Sequence, residues 1–228
     1  MTIAWSYSRL EDFESCPLMF QHKYILKTIK FKPNSAMERG KTVHGQLERE
    51  TIRASYNAVP AVAAVAHVWP IIKAFVGMHG EVLVEEELAF KRNLTPCAWF
   101  DKDTWLRAKI DAVGRVNPLS IYADQVISIL DWKTGKYRIN EDQLRLYNMV
   151  AMLRWDKTAS VSSSLIFVDQ QQSSPPLTST RQDLKDLLDE FGDRSEMIQI
   201  ANERGDWPAQ KSYKCSWCGV ITCKHKGG

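Results

Sequence analysis

The sequence predicts an α/β protein, and three observations carry that expectation. Along the 228 residues the apolar spacing changes from the helical period before residue 81 to the alternation of strands after it. Three strand-like stretches then follow one another across polar segments, and a strong helical pattern separates the third from a fourth. With 44% hydrophobic and 25% charged residues, the chain has apolar mass for one sizeable core. A single domain over 1–228 is expected, with a helical part over 1–80, a sheet core over 81–169, and a helix and cysteine-bearing tail over 170–228.

Ser8 is the expected N-cap of the first helix, with Glu11 three residues on completing a capping box. Leu10, Phe13, Phe20, Tyr24 and Ile25 continue its apolar stripe, although Pro17 interrupts it. Lys23, Lys27 and Lys30 fall at i, i+4 and i+7, so a continuing helix presents a basic ridge, either simply solvated or in contact with phosphate. A second helix is expected from Asn34-Ser35 to about Tyr56, and an Ala/Val-rich helical stretch over 59–79 is divided by Pro60 and Pro70. Strands are expected over 81–92, 105–116 and 125–133, separated by turn-rich segments over 93–103 and 117–124. Asn140 caps a helix over 141–155, a strand follows over 160–168, and 170–176 reads as a loop. A charged helix over 180–204 leads into an irregular tail.

Composition narrows the setting. No apolar run approaches the roughly 20 residues that span a bilayer, and the polar first residues lack a signal-peptide core. A net charge of +3, from 30 basic and 27 acidic residues, is too mild to identify a nucleic-acid partner by itself. The five cysteines are Cys16, Cys97, Cys215, Cys218 and Cys223. An odd count without a secretion signal argues for thiolates and metal binding rather than for a disulfide framework.

The most informative stretch is Ile127-Ser-Ile-Leu-Asp131-Trp132-Lys133-Thr-Gly-Lys136, an apolar strand with polar groups at its exit. Alternation puts Asp131 and Lys133 on one face and Trp132 on the other. An acid and an ammonium about 6 to 7 Å apart along a strand can hold a divalent cation and orient a water, although such a pair is more often a plain salt link. Glu87 and Asp111 stand on the two preceding strands, and strands about 4.8 Å apart let their carboxylates share one cation. Oxygen ligands with open water positions suit Mg²⁺ or Mn²⁺ better than zinc.

An Asp on one strand, Asp/Glu-x-Lys on the next and then a helix carrying Gln resembles the PD-(D/E)xK nucleases, and within them the RecB-like exonuclease branch. The residues are Ile110-Asp111, Asp131-Trp-Lys133, and Gln143-Leu-Arg-Leu-Tyr147, preceded by Gly40-Lys-Thr-Val-His44, which is similar to the branch's G-x-x-x-H element. Ala108 stands where the family usually has Gly, and Asp131 where many relatives have Glu. The resemblance implies a restriction-endonuclease-like core, a central mixed sheet flanked by helices. It further implies phosphodiester hydrolysis at Mg²⁺ or Mn²⁺ held by His44, Glu87, Asp111, Asp131 and the Trp132 backbone carbonyl. In that scheme Lys133 serves the attacking water, and Gln143 and Tyr147 share a helix face turned to the site.

Cys16 near the start and Cys215-Ser-Trp-Cys218-Gly-Val-Ile-Thr-Cys223 in the tail resemble the branch's iron–sulfur staple, as in CRISPR-associated RecB-type nucleases. The resemblance implies a 4Fe-4S cluster tying the terminal segments together. Closing a loop of about 200 residues contributes several kcal/mol by loop entropy. Zinc on the same cysteines, or on Cys215, Cys218, Cys223 and His225, is the alternative. Cys97 is expected to be an ordinary thiol. Lys211, Lys214, Lys224, His225 and Lys226, interleaved with Trp207, Tyr213 and Trp217, either help to hold single-stranded DNA or simply flank the metal site.

The expected activity is that of an exonuclease at DNA ends in recombination, repair or replication, in the cytoplasm of a bacterial or phage-infected cell. Without a helicase motif, it would act alone or with a separate helicase or recombination partner. The rivals are a structure-specific or site-specific endonuclease of the same fold, and a nucleic-acid-binding module with a structural metal and inert acidic strands.

Overall fold

Helical caps and strand alternation place most elements where the sequence puts them. The computed structural model describes residues 3–29, 33–116 and 125–226. Two compact units form, one from Met1–Pro33, Ala89–Arg107 and Asp189–Gly228, the other from Asn34–Leu88 and Ala108–Leu188. They interleave along the chain.

In the second unit, Asn34 caps helix α3 (Ser35–Ser55), its side chain accepting from the Met37 N–H at 2.9 Å. Two shorter helices, α1 (Tyr7–Ser15) and α2 (Pro17–Phe20), precede it in the chain. A 3-10 turn at Ala63–Val68 runs into α4 (Trp69–Met78), where Pro70 lies in the first turn and its missing N–H breaks no helical bond. Strands β1 (Glu81–Lys91), β2 (Thr104–Arg115) and β3 (Gln125–Lys133) follow, then α5 (Glu141–Arg154) and β4 (Thr158–Phe167). The short strands β5 (Gln172–Ser173) and β6 (Leu177–Thr180) come last, ahead of α6 (Leu184–Arg204).

The sheet order is β1-β2-β3-β4-β5, with β6 also paired to β4. Strand β3 is antiparallel to β2 and parallel to β4, while β5 and β6 are antiparallel to β4, giving the mixed sheet that was expected. β5 and β6 fall where the sequence predicts a loop and the start of a helix. They are too short to display a period, and their ladder to β4 (Ile166↔Ser173, Ser160↔Thr180) makes them strands. The last helix accordingly starts later, after a capping box between Thr180 and Asp183.

Register sorts the side chains of β3 and β4. Trp132 lies opposite Ile166, and both pack with Val43, Leu47, Val68 and Ile72, so α3 and α4 cover that face. Asp131 lies opposite Leu165 and Lys133 opposite Phe167, and Leu165 and Phe167 pack on Leu144 of α5. The sheet is therefore sandwiched between helices, with Asp131 and Lys133 on the α5 face.

The first unit is organised around one carboxylate. Helix α1 is capped by Ser6, not Ser8: the Ser6 hydroxyl accepts from the Arg9 N–H, and Ser8 sits inside the first turn. After Pro17 the chain forms α2 and then a π-helical turn, Gln21–Ile25, that ends at Leu26. Lys27 has φ 53°, in the left-handed region, so the helix cannot continue and the expected basic ridge does not form. Lys30 lies outside the described residues. Lys23 turns inward to Asp12, which is only 7% exposed. Asp12 accepts from Lys23 Nζ at 2.6 Å, Tyr24 OH at 2.7 Å and Lys214 Nζ at 2.8 Å. Lys214, expected as a basic residue of the tail, is thus a buried structural partner. Around this knot Phe20 stacks on Trp207 with ring centroids 5.9 Å apart, and Phe13 meets both rings edge-on.

Burial opposes ionisation of Asp12, but the bonds from Lys214, Lys23 and Tyr24 outweigh it and hold its carboxyl below the usual range. Asp12→Ala should cost about 3 to 5 kcal/mol in urea unfolding, because it strands Lys214 in the interior. The stability that Asp12 contributes should be complete above the unfolded carboxyl pKa of about 3.9 and should disappear as pH falls through the lower folded value, as acid titration of the unfolding midpoint would measure.

Candidate active site

Strands β2 and β3 carry the two central acids. Their ladder is registered from Ala112↔Leu130, which makes Asp111 and Asp131 the next residues on each strand. Asp131 is 3% exposed. Its Oδ1 accepts from Tyr147 OH at 3.0 Å and from Gln143 Nε2 at 3.3 Å, and Oδ2 pairs with the Lys133 ammonium. Lys133 Nζ also donates to Gln143 Oε1 at 3.0 Å, and Gln143 Nε2 donates to Tyr147 OH at 2.8 Å. One turn of α5 separates Gln143 from Tyr147, so both reach the same acid. Asn140 fixes the register of that helix by accepting from the Gln143 N–H.

Burial raises the Asp131 pKa; Lys133 opposes the shift and the charge on Asp111 adds to it. Burial, with Asp131 and Asp111 nearby, lifts Tyr147 well above the ordinary phenol range, so its hydroxyl stays a neutral donor.

Asp111 binds in two directions. Its Oδ2 accepts from the Trp132 N–H at 2.8 Å, and its Oδ1 lies 3.3 Å from His44 Nδ1 on α3. Among the described residues, His44, Glu85 and Asp111 form a ligand triad, with one donor atom of each within 4.8 Å of the others. They line a cleft of about 470 Å³ together with Gly40, Lys41, Glu48 and Lys109. Lys109 is ion-paired to Glu85. Burial works against a charge on His44, but its bond to Asp111 and the charges of Asp111, Asp131 and Glu85 raise its pKa overall. Ligand atoms around a small divalent ion at 2.0–2.1 Å stand about 3 Å apart, so a modest contraction fits this nitrogen and these oxygens to one ion.

The structure brings together His44, Asp111, Asp131, Lys133, Gln143 and Tyr147, as the sequence predicts, with the Trp132 backbone between the two acids. It does not bring Glu87, which is exposed; Glu85 takes that place. Glu85 has φ 52°, and this left-handed residue breaks the alternation of β1. The sequence signal was the triplet Glu85-Glu86-Glu87, which offers three acids without showing which one turns inward. Of the lysines expected at DNA, Lys23 is held by Asp12 and Lys27 follows the end of its helix.

In the other unit, Cys16, Cys215, Cys218 and Cys223 line one cavity, and His225 lines it too. All five cysteines are unbridged, and Cys97 sits apart with its sulfur 3.6 Å from Thr104 Oγ1. Each of the four sulfurs receives a backbone N–H: Gln210 to Cys16 at 3.4 Å, Ser212 to Cys215 at 3.3 Å, His225 to Cys223 at 3.5 Å, and Val220 to Cys218. Burial raises the Cys218 pKa, the Val220 N–H lowers it, and the other three cysteines raise it further.

Comparison with known proteins agrees with this layout. The sequence model of the PD-(D/E)XK nuclease superfamily matches residues 4–223. No curated protein matches the chain. Among solved structures, the chain is similar to a "Putative exonuclease" from Eubacterium rectale, with 13% identity over 94% of this chain and 86% of that one, at a TM-score of 0.52. It is also similar to SSO0001, with 11% identity over 98% and 87% of the two chains, at a TM-score of 0.46. At 13% identity the first likeness is one of fold. Among the described residues, no helix is long and apolar enough to cross a membrane.

Glu85→Gln should weaken Mn²⁺ binding at least about tenfold in calorimetry, whereas Glu87→Gln should leave it unchanged. Binding should weaken as pH falls through the raised His44 pKa, because the proton and the ion compete for the same imidazole.

Proposed function

Because the chain belongs to the PD-(D/E)XK nuclease superfamily over residues 4–223, we propose that it is a metal-dependent deoxyribonuclease that hydrolyses phosphodiester bonds at DNA ends. The observation that carries this reading is the convergence of Lys133, Gln143 and Tyr147 on Asp131, one strand from the His44, Glu85 and Asp111 triad. Inert acidic strands have no need of a buried carboxylate with a dedicated ammonium, amide and phenol.

His44, Glu85 and Asp111, with Asp131 and the Trp132 carbonyl beside them, would hold Mg²⁺ or Mn²⁺. When bound, the ion supplies Lewis acidity to a phosphate oxygen and lowers the pKa of a water. The chain's own groups do the rest. Asp131 and Gln143 fix the Lys133 ammonium, so its N–H groups orient the attacking water and its charge stabilises the oxygen that gains charge. Tyr147, neutral and buried, holds one Asp131 oxygen in place and leaves the other to cations. Lys109 is the counter-ion of Glu85. With Glu85 engaged as a ligand, Lys109 would be available to a phosphate.

The substrate in this reading is DNA that is single-stranded or has free ends, processed in recombination, repair or replication, alone or with a separate helicase or recombination partner. Order of motifs supports the RecB-like branch: Gly40 to His44 precedes the strands, and the cysteines bracket them. The cysteine cavity would hold a 4Fe-4S cluster. Its four sulfurs face one cavity and each receives an N–H, the outer bonding that tunes cluster thiolates. A single zinc ion with bonds of about 2.3 Å brings its sulfurs to about 3.8 Å of one another. Among the described residues only the His44 triad is drawn as close as 4.8 Å.

With Mn²⁺, the protein should shorten end-labelled linear DNA and leave closed circular DNA intact; cutting of the circle identifies an endonuclease instead. Asp131→Ala and Lys133→Ala should each slow hydrolysis by about 10²- to 10³-fold while keeping the parent's circular dichroism. Parent-like cutting by either variant removes the assigned site. Purified without oxygen, the protein should be brown and contain iron and sulfide, and a colourless protein with stoichiometric zinc overturns the cluster.

A further inference from the structure

The turn between β1 and β2 spends an aromatic side chain on water. Phe100 is 85% exposed, next to the half-buried Trp99. Leaving such a ring in solvent forgoes the stabilisation that its burial would bring. The turn is not slack. Cys97 N–H bonds Ala89 O at 2.9 Å, Lys91 N–H bonds Thr95 O at 2.9 Å, and Thr104 Oγ1 donates to Asp101 O at 2.7 Å. Lys91 Nζ is 3.3 Å from Asp101 and 3.8 Å from Asp103, so the acids of the turn are tied down. Phe100 is presented by a braced loop.

Beneath it, the Arg107 guanidinium lies 5.6 Å from the ring centroids of both Trp99 and Phe100. Its Nε is buried and has no partner. Arg9 lies near enough to repel Arg107; its guanidinium donates to Ala4 O at 2.6 Å and lies 4.9 Å from the Tyr24 ring. Among the described residues neither arginine has a carboxylate partner. An uncompensated guanidinium beside presented aromatic rings fits a ligand that combines anionic groups with flat, uncovered π faces. Duplex DNA hides its base faces, and an acidic peptide offers a ring only where it carries an aromatic residue. A single strand offers both.

We propose that Phe100, Trp99 and Arg107 form a stacking platform for single-stranded DNA, taking a base on Phe100 and a phosphate on the Arg107 guanidinium. The choice of DNA rests on the deoxyribonuclease reading, and the test separates the two. Binding of short labelled oligo(dT) to the full chain is followed by fluorescence anisotropy in EDTA, where no cutting occurs. Phe100→Ala and Phe100→Leu should each weaken binding about tenfold, and Phe100→Trp should restore it, since stacking needs a ring rather than apolar bulk. Arg107→Gln should reduce the slope of log affinity against log salt by about 0.7, one single-strand phosphate contact. Tyr56→Ala, at a residue 81% exposed in the other unit, should change nothing.

Parent-like oligo(dT) binding by Phe100→Ala or Phe100→Leu overturns the platform and leaves the nuclease reading intact. So does a parent dimer that Phe100→Ala dissociates without loss of DNA binding, for the ring then serves a second copy of the chain. A parent that cuts no DNA with Mn²⁺ yet loses oligo(dT) binding with Phe100→Ala overturns the nuclease reading and leaves the platform standing.

Discussion

A carboxylate buried at the end of a strand determines much of the sheet unit. Asp131 is almost fully enclosed, and an enclosed charge is tolerable only where donors and cations are built around it. Lys133 serves because alternation returns it to the same face two residues on. Gln143 and Tyr147 serve because α5 starts at a fixed point, pinned by Asn140. The helix itself is there because β3 and β4 are parallel, and parallel neighbours need a crossover of a dozen residues or more. Strand order, helix cap and side-chain chemistry therefore answer one demand at three scales.

Trp132 connects that demand to the opposite face. Its N–H holds Asp111, while its indole packs with Val43 and Leu47, which are four apart on α3. His44 follows Val43 by one residue, so the packing that seats α3 on the sheet also carries the imidazole to the edge of the apolar stripe, against Asp111. A helix stripe, a strand register and a ligand position are coupled through a single residue that does no chemistry with its side chain.

How far the sequence discloses all this depends on range. α3 and α5 are readable from caps one turn away, and β1 to β3 from strand-like stretches at least nine residues long between turn-rich segments. Asp111, Asp131, Lys133, Gln143 and Tyr147 follow from the same patterns with the family resemblance added. What escapes is set by a single dihedral or by a distant partner. One left-handed residue exchanges Glu87 for Glu85, and another ends the helix before Lys27. β5 and β6 exist through β4, and Asp12 ties down Lys23 and buries Lys214, which it precedes by 202 residues in the chain. Local sequence windows contain none of those facts.

Both units concentrate groups that repel one another unless a cation is supplied, and they differ in the kind of cation they invite. Asp111 raises the cost of ionising Asp131 in one; in the other, Cys16, Cys215 and Cys223 raise that of Cys218. The first set offers carboxylate oxygens and an imidazole, ligands for Mg²⁺ or Mn²⁺, and the second offers only sulfur lined by N–H donors, with His225 at its edge. Because softness of ligand, not affinity alone, selects a metal, the two ligand sets differ in the metals that they favour. The separation follows from residue type: carboxylates are carried on strands, where register fixes their spacing, and the cysteines on α1's end and the tail, where backbone N–H groups meet their sulfurs.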